Sequence, residues 1–253
     1  MKVVPKKGLG QHFLVDENLL GIIGRLAELH PADVVLEIGP GLGVLTRFLA
    51  LRVAYVHAIE IDRSLEPRLH DIPNTTLHWG DALAVDAAAF DPPPGKLVSN
   101  LPYNIATPLV VESIDRLPRI EHWCVMVQRE VADRFFAAPG TKAYGAVSVL
   151  VQLAAERTGF HPVSREVFRP KPNVDSALVA FRRIRPGLAP GLKRLVEAAF
   201  AHRRKTLANS LALTGTASRE LAVDALAAIG RPPTARAEEL SPPEYLALDV
   251  ELG

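Results

Sequence analysis

Short apolar runs rich in Val and Ile recur through the first 160 residues, at 34–38, 54–59, 75–79, 96–99 and 123–127. Runs of this length bounded by Gly, Pro and Asp read as buried parallel strands. Between them, residues 44–51, 108–116 and 143–156 carry helical patterns. Strand alternating with helix argues for a doubly wound α/β sheet. Two later runs, 157–164 and 175–183, have no helix between them and are expected to pair as an antiparallel hairpin. Their link, Phe168-Arg-Pro-Lys-Pro-Asn-Val-Asp-Ser176, is barred from helix by its two prolines. The expected fold class is therefore α/β, mostly parallel, with a late antiparallel hairpin.

After residue 185 the strand patterns stop. Pro186-Gly-Leu-Ala-Pro-Gly191 reads as a linker, and 192–213, 218–229 and 242–248 read as three helices. The expected organisation is a sheet domain over 1–185 and a small helical domain over 186–253. A chain of 253 residues buries a sufficient core without staples. Its single cysteine, Cys124, excludes an internal disulfide and any multi-cysteine zinc site. The histidines show no metal-ligand spacing, so no metal is expected. No apolar run approaches the roughly 20 residues of a membrane span, and no apolar signal-peptide core follows Met1. The expectation is a cytoplasmic chain that does not engage a membrane.

A formal net charge of +1 argues against a polyanionic partner, but its distribution does not. Residues 181–210 carry Arg182, Arg183, Arg185, Lys193, Arg194, Arg203, Arg204 and Lys205 against Glu197 alone, a local net of +7. The acidic tail, 211–253, carries −4. Charge alone fits a solvated helix face as well as an RNA patch.

Candidate chemistry collects at the carboxyl ends of the expected strands. Glu37-Ile-Gly-Pro-Gly-Leu-Gly43 follows the first, and glycines there let backbone approach a ligand near a helix N-terminus, as they also serve a tight turn. The Gly-x-Gly-x-Gly spacing is not the dinucleotide pattern. Glu60, about 20 residues on, suits a ribose diol. Asp81 suits an adenine amino group, and equally a turn. Asn100-Leu-Pro-Tyr-Asn104 sets an amide oxygen and an aromatic ring together at the sheet edge. The amide accepts from an exocyclic amine, and the ring stacks on a base for about 1–3 kcal/mol. No Asp, Glu or His lies in that segment, which suits orienting an amine rather than deprotonating it.

These residues resemble the ribosomal RNA adenine N6,N6-dimethyltransferases. The likeness rests on Gly10-Gln-His-Phe-Leu14, Glu37–Gly43, Asn100–Asn104 and the Phe168–Ser176 segment. Lys142-Ala-Tyr-Gly145, Ala199-Phe-Ala-His-Arg-Arg-Lys-Thr-Leu207 and Arg236-Ala-Glu-Glu-Leu240 extend it over nearly the whole chain. The resemblance implies a Rossmann-like methyltransferase sheet that binds S-adenosyl-L-methionine. His12, Leu14, Gly39, Gly41, Glu60, Asp81 and Asn100 would contact that cofactor; His12 stands where many members carry Asn. Asn100, Leu101, Pro102 and Tyr103 would form the catalytic segment, with Tyr103 and Phe168 about the target base. Arg182, Arg183, Lys193, Arg194, Arg203, Arg204 and Lys205, with Lys2, Lys6 and Lys7, would grip RNA phosphates. Two branches compete: one dimethylates two adjacent adenosines in the 3′-terminal hairpin of 16S rRNA, the other one adenosine of 23S rRNA. The tail and the Asn-Leu-Pro-Tyr-Asn order resemble the 16S branch, implying a monomer that acts on the small ribosomal subunit or its precursor. A ribosome-assembly factor that does not methylate is a third reading.

Overall fold

The computed structural model describes Lys6 and residues 11–253; the expected contributions of Lys2, Lys7 and Gly10 lie outside the described residues. Strand β1 (Phe13–Leu14) leads into helix α1 (Glu17–Leu26), whose Asp16 cap accepts the Asn18 amide at 2.8 Å. Leu19, Leu20 and Ile23 form its buried stripe. Then follow β2 (Val34–Ile38), α2 (Val44–Ala50), β3 (Tyr55–Glu60), α3 (Glu66–Leu69), β4 (Thr75–Trp79) and β5 (Lys96–Asn100). Helix α4 (Ala106–Arg116), β6 (His122–Gln128), α5 (Arg129–Phe135) and α6 (Ala146–Ala154) come next. β7 (Ala155–Val163), β8 (Phe168–Arg169) and β9 (Ser176–Arg183) complete the strands.

The main sheet runs β4-β3-β2-β5-β6-β9-β7, and β1 pairs with β8 in a separate ribbon. Strands β2 to β6 are mutually parallel, whereas β9 runs antiparallel to β6. The chain order reverses beside β2: β3 and β4 extend one way, and β5 returns to the other flank. In open α/β sheets, ligands bind at the carboxyl ends beside such a reversal. Here the crevice has a local cause. β2 and β5 are in register only at Val35–Lys96 and Leu36–Leu97. Beyond that point the Ser99 hydroxyl bridges the gap, donating to the Ile38 carbonyl at 2.6 Å and accepting its amide at 3.3 Å.

The chain divides into two compact units, one of residues up to Ala132 with Glu156–Arg183, the other of Asp133–Ala155 with Ile184–Gly253. The helical unit therefore takes in α6, which strand–helix alternation groups with the sheet. Its own bonds explain why: the Tyr144 hydroxyl donates to the Leu240 carbonyl at 2.7 Å, and the Phe200 ring lies 6.1 Å from both Tyr144 and Tyr245. The rest of this unit is α7 (Pro190–Phe200), α8 (Leu207–Leu213), α9 (Arg219–Ala228) and α10 (Pro242–Leu252). The single helix expected over 192–213 is two. Arg203, Arg204 and Lys205 lie in the break. Thr206 then caps a new helix by accepting the Asn209 amide at 3.4 Å.

Candidate functional site

The ends of β2, β3, β4 and β5 meet around a cleft of about 900 Å³, mouth included, which lies within the size range of small-molecule sites. Gln11–Leu14 form its N-terminal wall, and the glycine loop after β2 forms its floor. Glu60 and Ile61 follow β3, Asp81 and Ala82 follow β4, and Asn100–Tyr103 follow β5. The cleft thus brings together His12, Leu14, Gly39, Gly41, Glu60, Asp81, Asn100, Leu101, Pro102 and Tyr103.

The glycine loop and the β3 carboxylate are one device. The Gly41 amide donates to Glu60 Oε2 at 3.2 Å, and the Asp62 amide donates to Oε1 at 2.8 Å. Gly41 adopts φ +59°, and a Cβ there would stand 2.9 Å from the Phe13 ring, so glycine is required twice over. Burial raises the Glu60 pKa, against the backbone bonds from Asp62, Gly41 and Ile61 that favour its charge. Beyond it, Lys6 Nζ donates to Asp62 Oδ1 at 2.6 Å and Gln11 Nε2 to Oδ2 at 3.0 Å. Burial of Asp62 opposes ionisation, but the bonds from Lys6, Ser64 and Gln11 outweigh it and hold the carboxyl well below its ordinary range. Lys6 and Gln11 are thereby tied to the residue two places beyond the Glu60 carboxylate.

Asn100 is the centre of the site. Its Nδ2 donates to the His12 carbonyl at 3.1 Å. Because only the amide nitrogen can donate to a carbonyl, that bond sets the orientation of the whole group. Oδ1 is buried with no hydrogen-bond partner in the protein, which leaves it to accept from water or from a ligand. The Tyr103 hydroxyl bonds Ser176 Oγ at the start of β9 and so holds its ring; burial raises its pKa. His12 Nδ1 donates to the Pro170 carbonyl at 2.8 Å, and its ring stacks on Tyr103 with centroids 5.4 Å apart. His12 is thus a clasp between β1, β8 and the Tyr103 ring.

Four expected site residues stand elsewhere or have a further partner. Phe168 does not line the cleft: it is fully buried, pairs with Leu14 across the β1–β8 ribbon and packs in the core. Arg183 is not presented to a polyanion. Its guanidinium donates to the carbonyls of Ile120, Ile114 and Leu117 at 2.7, 3.1 and 3.1 Å, and lies 4.9 Å from the Trp123 ring centroid. It closes the C-terminal end of α4, where carbonyls lack helical partners. Arg182 pairs with Glu28 at 2.8 Å on the surface. Asp81 borders the cleft but also holds a turn, accepting the Leu83 amide at 3.0 Å. In the helical unit Arg194, Arg203, Arg204 and Lys205 are exposed and Lys193 is half-buried.

Two cleft residues carry no role in the sequence reading. Ile61, 54% exposed beside Glu60, offers an apolar wall; an apolar residue between two acids at a strand end was its only signal. Glu37 borders the cleft from β2, is buried, and has an unpartnered Oε2. Burial pushes its pKa up to about 8, with the Thr46 hydroxyl working against that and the Glu60 charge adding to it.

These features fit an adenosine-like cofactor: an apolar wall, a carboxylate tied to the glycine loop where a ribose diol could bond it, and the buried Asn100 Oδ1 without a partner in the protein. Comparison with known proteins agrees. The sequence profile of a family described as Ribosomal RNA adenine dimethylase matches residues 4–240. A Ribosomal RNA small subunit methyltransferase A of Rubrobacter xylanophilus is 50% identical over 250 residues, covering 96% of this chain and 94% of that protein. One of the same name from Thermobifida fusca is 44% identical, covering 93% and 86%. Among solved structures, the 23S rRNA methyltransferase ErmE is 30% identical with a TM-score of 0.67, covering 95% of this chain and 99% of that one. A dimethyladenosine transferase from Plasmodium falciparum shares the fold, with a TM-score of 0.78 at 24% identity over 94% and 96% of the two chains.

Proposed function

Because the chain belongs to the ribosomal RNA adenine dimethylase family, we propose that it dimethylates the N6 amino groups of two adjacent adenosines in the 3′-terminal hairpin loop of 16S rRNA. The methyl donor is S-adenosylmethionine, and the substrate is the small ribosomal subunit or its precursor. The observation that carries the chemistry is the buried, unpartnered Oδ1 of Asn100, a residue that lines the cleft beside Tyr103. The near full-length likeness to small-subunit methyltransferases, at 40–50% identity, favours 16S over 23S; the 23S enzyme stands at 30%.

Bound S-adenosylmethionine supplies an electrophilic methyl on a positively charged sulfur. Glu60 is suited to the ribose hydroxyls, Asp81 to the adenine amine, Ile61 to the adenine face, and Gly39 and Gly41 to a close backbone approach. Leu14 and Pro102 close the walls. The adenosine amine is a poor nucleophile because its lone pair is delocalised into the ring. Asn100 Oδ1 accepts an N–H of that amine and holds the nitrogen toward tetrahedral geometry, and the carbonyl of Leu101, the next cleft residue, is the acceptor we assign to the other. As methyl transfer proceeds, positive charge grows on N6, and these acceptors bind it more tightly than they bind the ground state. After the first transfer one N–H remains, so the same acceptor serves the second. Tyr103, its ring held by Ser176 and His12, stacks on the extruded base; a hairpin loop lowers the cost of extrusion, a few kcal/mol for a paired base.

The exposed Arg194, Arg203, Arg204 and Lys205 of the helical unit, with Lys193, are suited to backbone phosphates. The sheet unit, residues up to Ala132 with Glu156–Arg183, is the catalytic part in this reading. A ribosomal substrate also argues for a cytoplasmic site of action, and we take the acting species to be a monomer. Incubation with unmethylated small subunits and labelled S-adenosylmethionine tests the reading. Label at the 3′-terminal hairpin of 16S rRNA supports it; no label there, or label found instead in 23S rRNA when large subunits are offered in a parallel reaction, refutes it.

A further inference from the structure

Asp62 is the hub of a hydrogen-bonded chain that joins three sides of the cleft. Its side chain is 2% exposed and caps the turn Arg63–Leu65, with Oδ1 accepting the Ser64 amide at 3.1 Å and the Ser64 hydroxyl at 2.6 Å. A cap needs one oxygen. The other, Oδ2, accepts Gln11 Nε2 at 3.0 Å from 51 residues away, and Lys6 Nζ adds a charge-assisted bond to Oδ1 at 2.6 Å. The Lys6 amide donates to Gln11 Oε1 at 2.8 Å, so both ends of the Gln11 amide are fixed and the three residues close a ring. From its backbone, Asp62 donates to Glu60 Oε1 at 2.8 Å, and Glu60 Oε2 accepts the Gly41 amide at 3.2 Å. The chain of bonds therefore runs from Lys6 through Gln11 and Asp62 to Glu60 and the glycine loop. Gln11, Glu60 and Gly41 line the cleft, whereas Lys6 and Asp62 are not among its lining residues.

We propose that Lys6 and Asp62 are positioning residues for the cofactor, a latch that holds the Gln11–Leu14 wall in register with the Glu60 carboxylate and the glycine loop. This inference rests on the S-adenosylmethionine reading above. A ligand gripped by walls from distant parts of the chain loses affinity when it must order those walls itself, and gains it when they are ordered beforehand. Asp62 is the residue that both walls share: its side chain takes the N-terminal segment and its amide takes the ribose acid. A buried carboxylate is costly without a counter-charge, and Lys6 supplies one. The positive charge that the sequence offers to RNA phosphates thus serves the cofactor. Because the latch touches neither the methyl group nor the target amine, it acts alike on S-adenosylmethionine and on its demethylated product, S-adenosylhomocysteine.

Titration calorimetry of the full chain with each of these two ligands tests the latch. Lys6→Met keeps the aliphatic stem, removes the ammonium, and should raise both Kd values by about three- to tenfold. The KM for cofactor in subunit methylation should rise with them, while kcat at saturating cofactor stays within about twofold. A merely structural pair would move neither selectively; here the melting temperature of the ligand-free chain should shift by less than about 3 °C. Lys6→Arg should restore affinity, and in about 1 M salt the gap between wild type and Lys6→Met should narrow. Asp62→Asn keeps the cap and removes the charge; combined with Lys6→Met it should bind no more weakly than alone, because the two residues share one interaction. Unchanged cofactor affinity in Lys6→Met overturns the proposal, and a salt slope of RNA binding lower by about one then returns Lys6 to the RNA surface. Additive losses in the double variant, or a fall in melting temperature that accounts for the lost affinity, overturn it too. If Asp62→Asn does not fold, Lys6→Met and Lys6→Arg decide alone. If neither ligand binds the wild-type chain, the cofactor reading itself falls, and this inference with it.

Discussion

Arg183 offers a sharp separation of structural from RNA-binding charge. Arg183→Met keeps an apolar stem against Trp123 and removes the guanidinium that donates to the carbonyls of Ile114, Leu117 and Ile120. Hydrogen bonds from a charged donor contribute about 1.5–3 kcal/mol each. The site is half-buried, so water can replace part of them, and a total cost of about 2–4 kcal/mol is expected. In a unit of this size, 1 kcal/mol moves the melting temperature by about 2–4 °C. A fall of roughly 5–15 °C should follow, read by circular dichroism and by tryptophan fluorescence. The affinity of the folded variant for an RNA hairpin, titrated against salt at low temperature, should keep the wild-type slope. An unchanged melting temperature together with a slope shallower by about one phosphate contact would refute the reasoning and return Arg183 to the RNA surface.

Other expectations follow from the same geometry. Phe168→Ala should cost about 3–5 kcal/mol of stability, as a fully buried aromatic in the core does; a stable variant with weakened base binding would restore Phe168 to the target pocket. Gly41→Ala forces a left-handed residue against Phe13 and detaches the glycine loop from Glu60, so cofactor affinity in calorimetry should fall at least tenfold. The raised Glu37 pKa means that the folded protein binds a proton there which the unfolded chain releases above pH 4.5. Stability should therefore decline as pH rises from about 5 to 8, by up to about 4–5 kcal/mol, and Glu37→Gln should flatten the curve. Arg203→Ala and Arg204→Ala should each lower the salt slope of RNA binding by about one without moving the melting temperature.

How far the chain announces all this differs from one element to the next. The parallel strands are legible because burial on both faces forces a continuous apolar run, which survives any detail of packing. Asn100 and Tyr103 are legible because their place at a strand end follows from the strand itself. Helix α1 carries its own signal, an Asp16 cap before a Leu19, Leu20, Ile23 stripe, yet it falls outside the alternation used to find helices. Phe168 and Arg183 mislead for a shared reason. A motif position or a positive charge indicates chemistry, while burial is decided by partners distant in sequence, Leu14 in one case and the end of α4 in the other. Glu37 is visible as a letter in the glycine motif, but its orphaned oxygen exists only once β2 is enclosed.

The account stands on Asn100 as the acceptor that holds the target amine. Mass spectrometry of the 3′-terminal 16S hairpin, after reaction of unmethylated small subunits with wild-type or Asn100→Ala protein, tests this directly. The wild type should leave two methyl groups on each of two adjacent adenosines. The variant, binding subunits with near wild-type affinity, should transfer about 10²–10³-fold more slowly. An Asn100→Ala protein that dimethylates both adenosines at the wild-type rate would contradict the account.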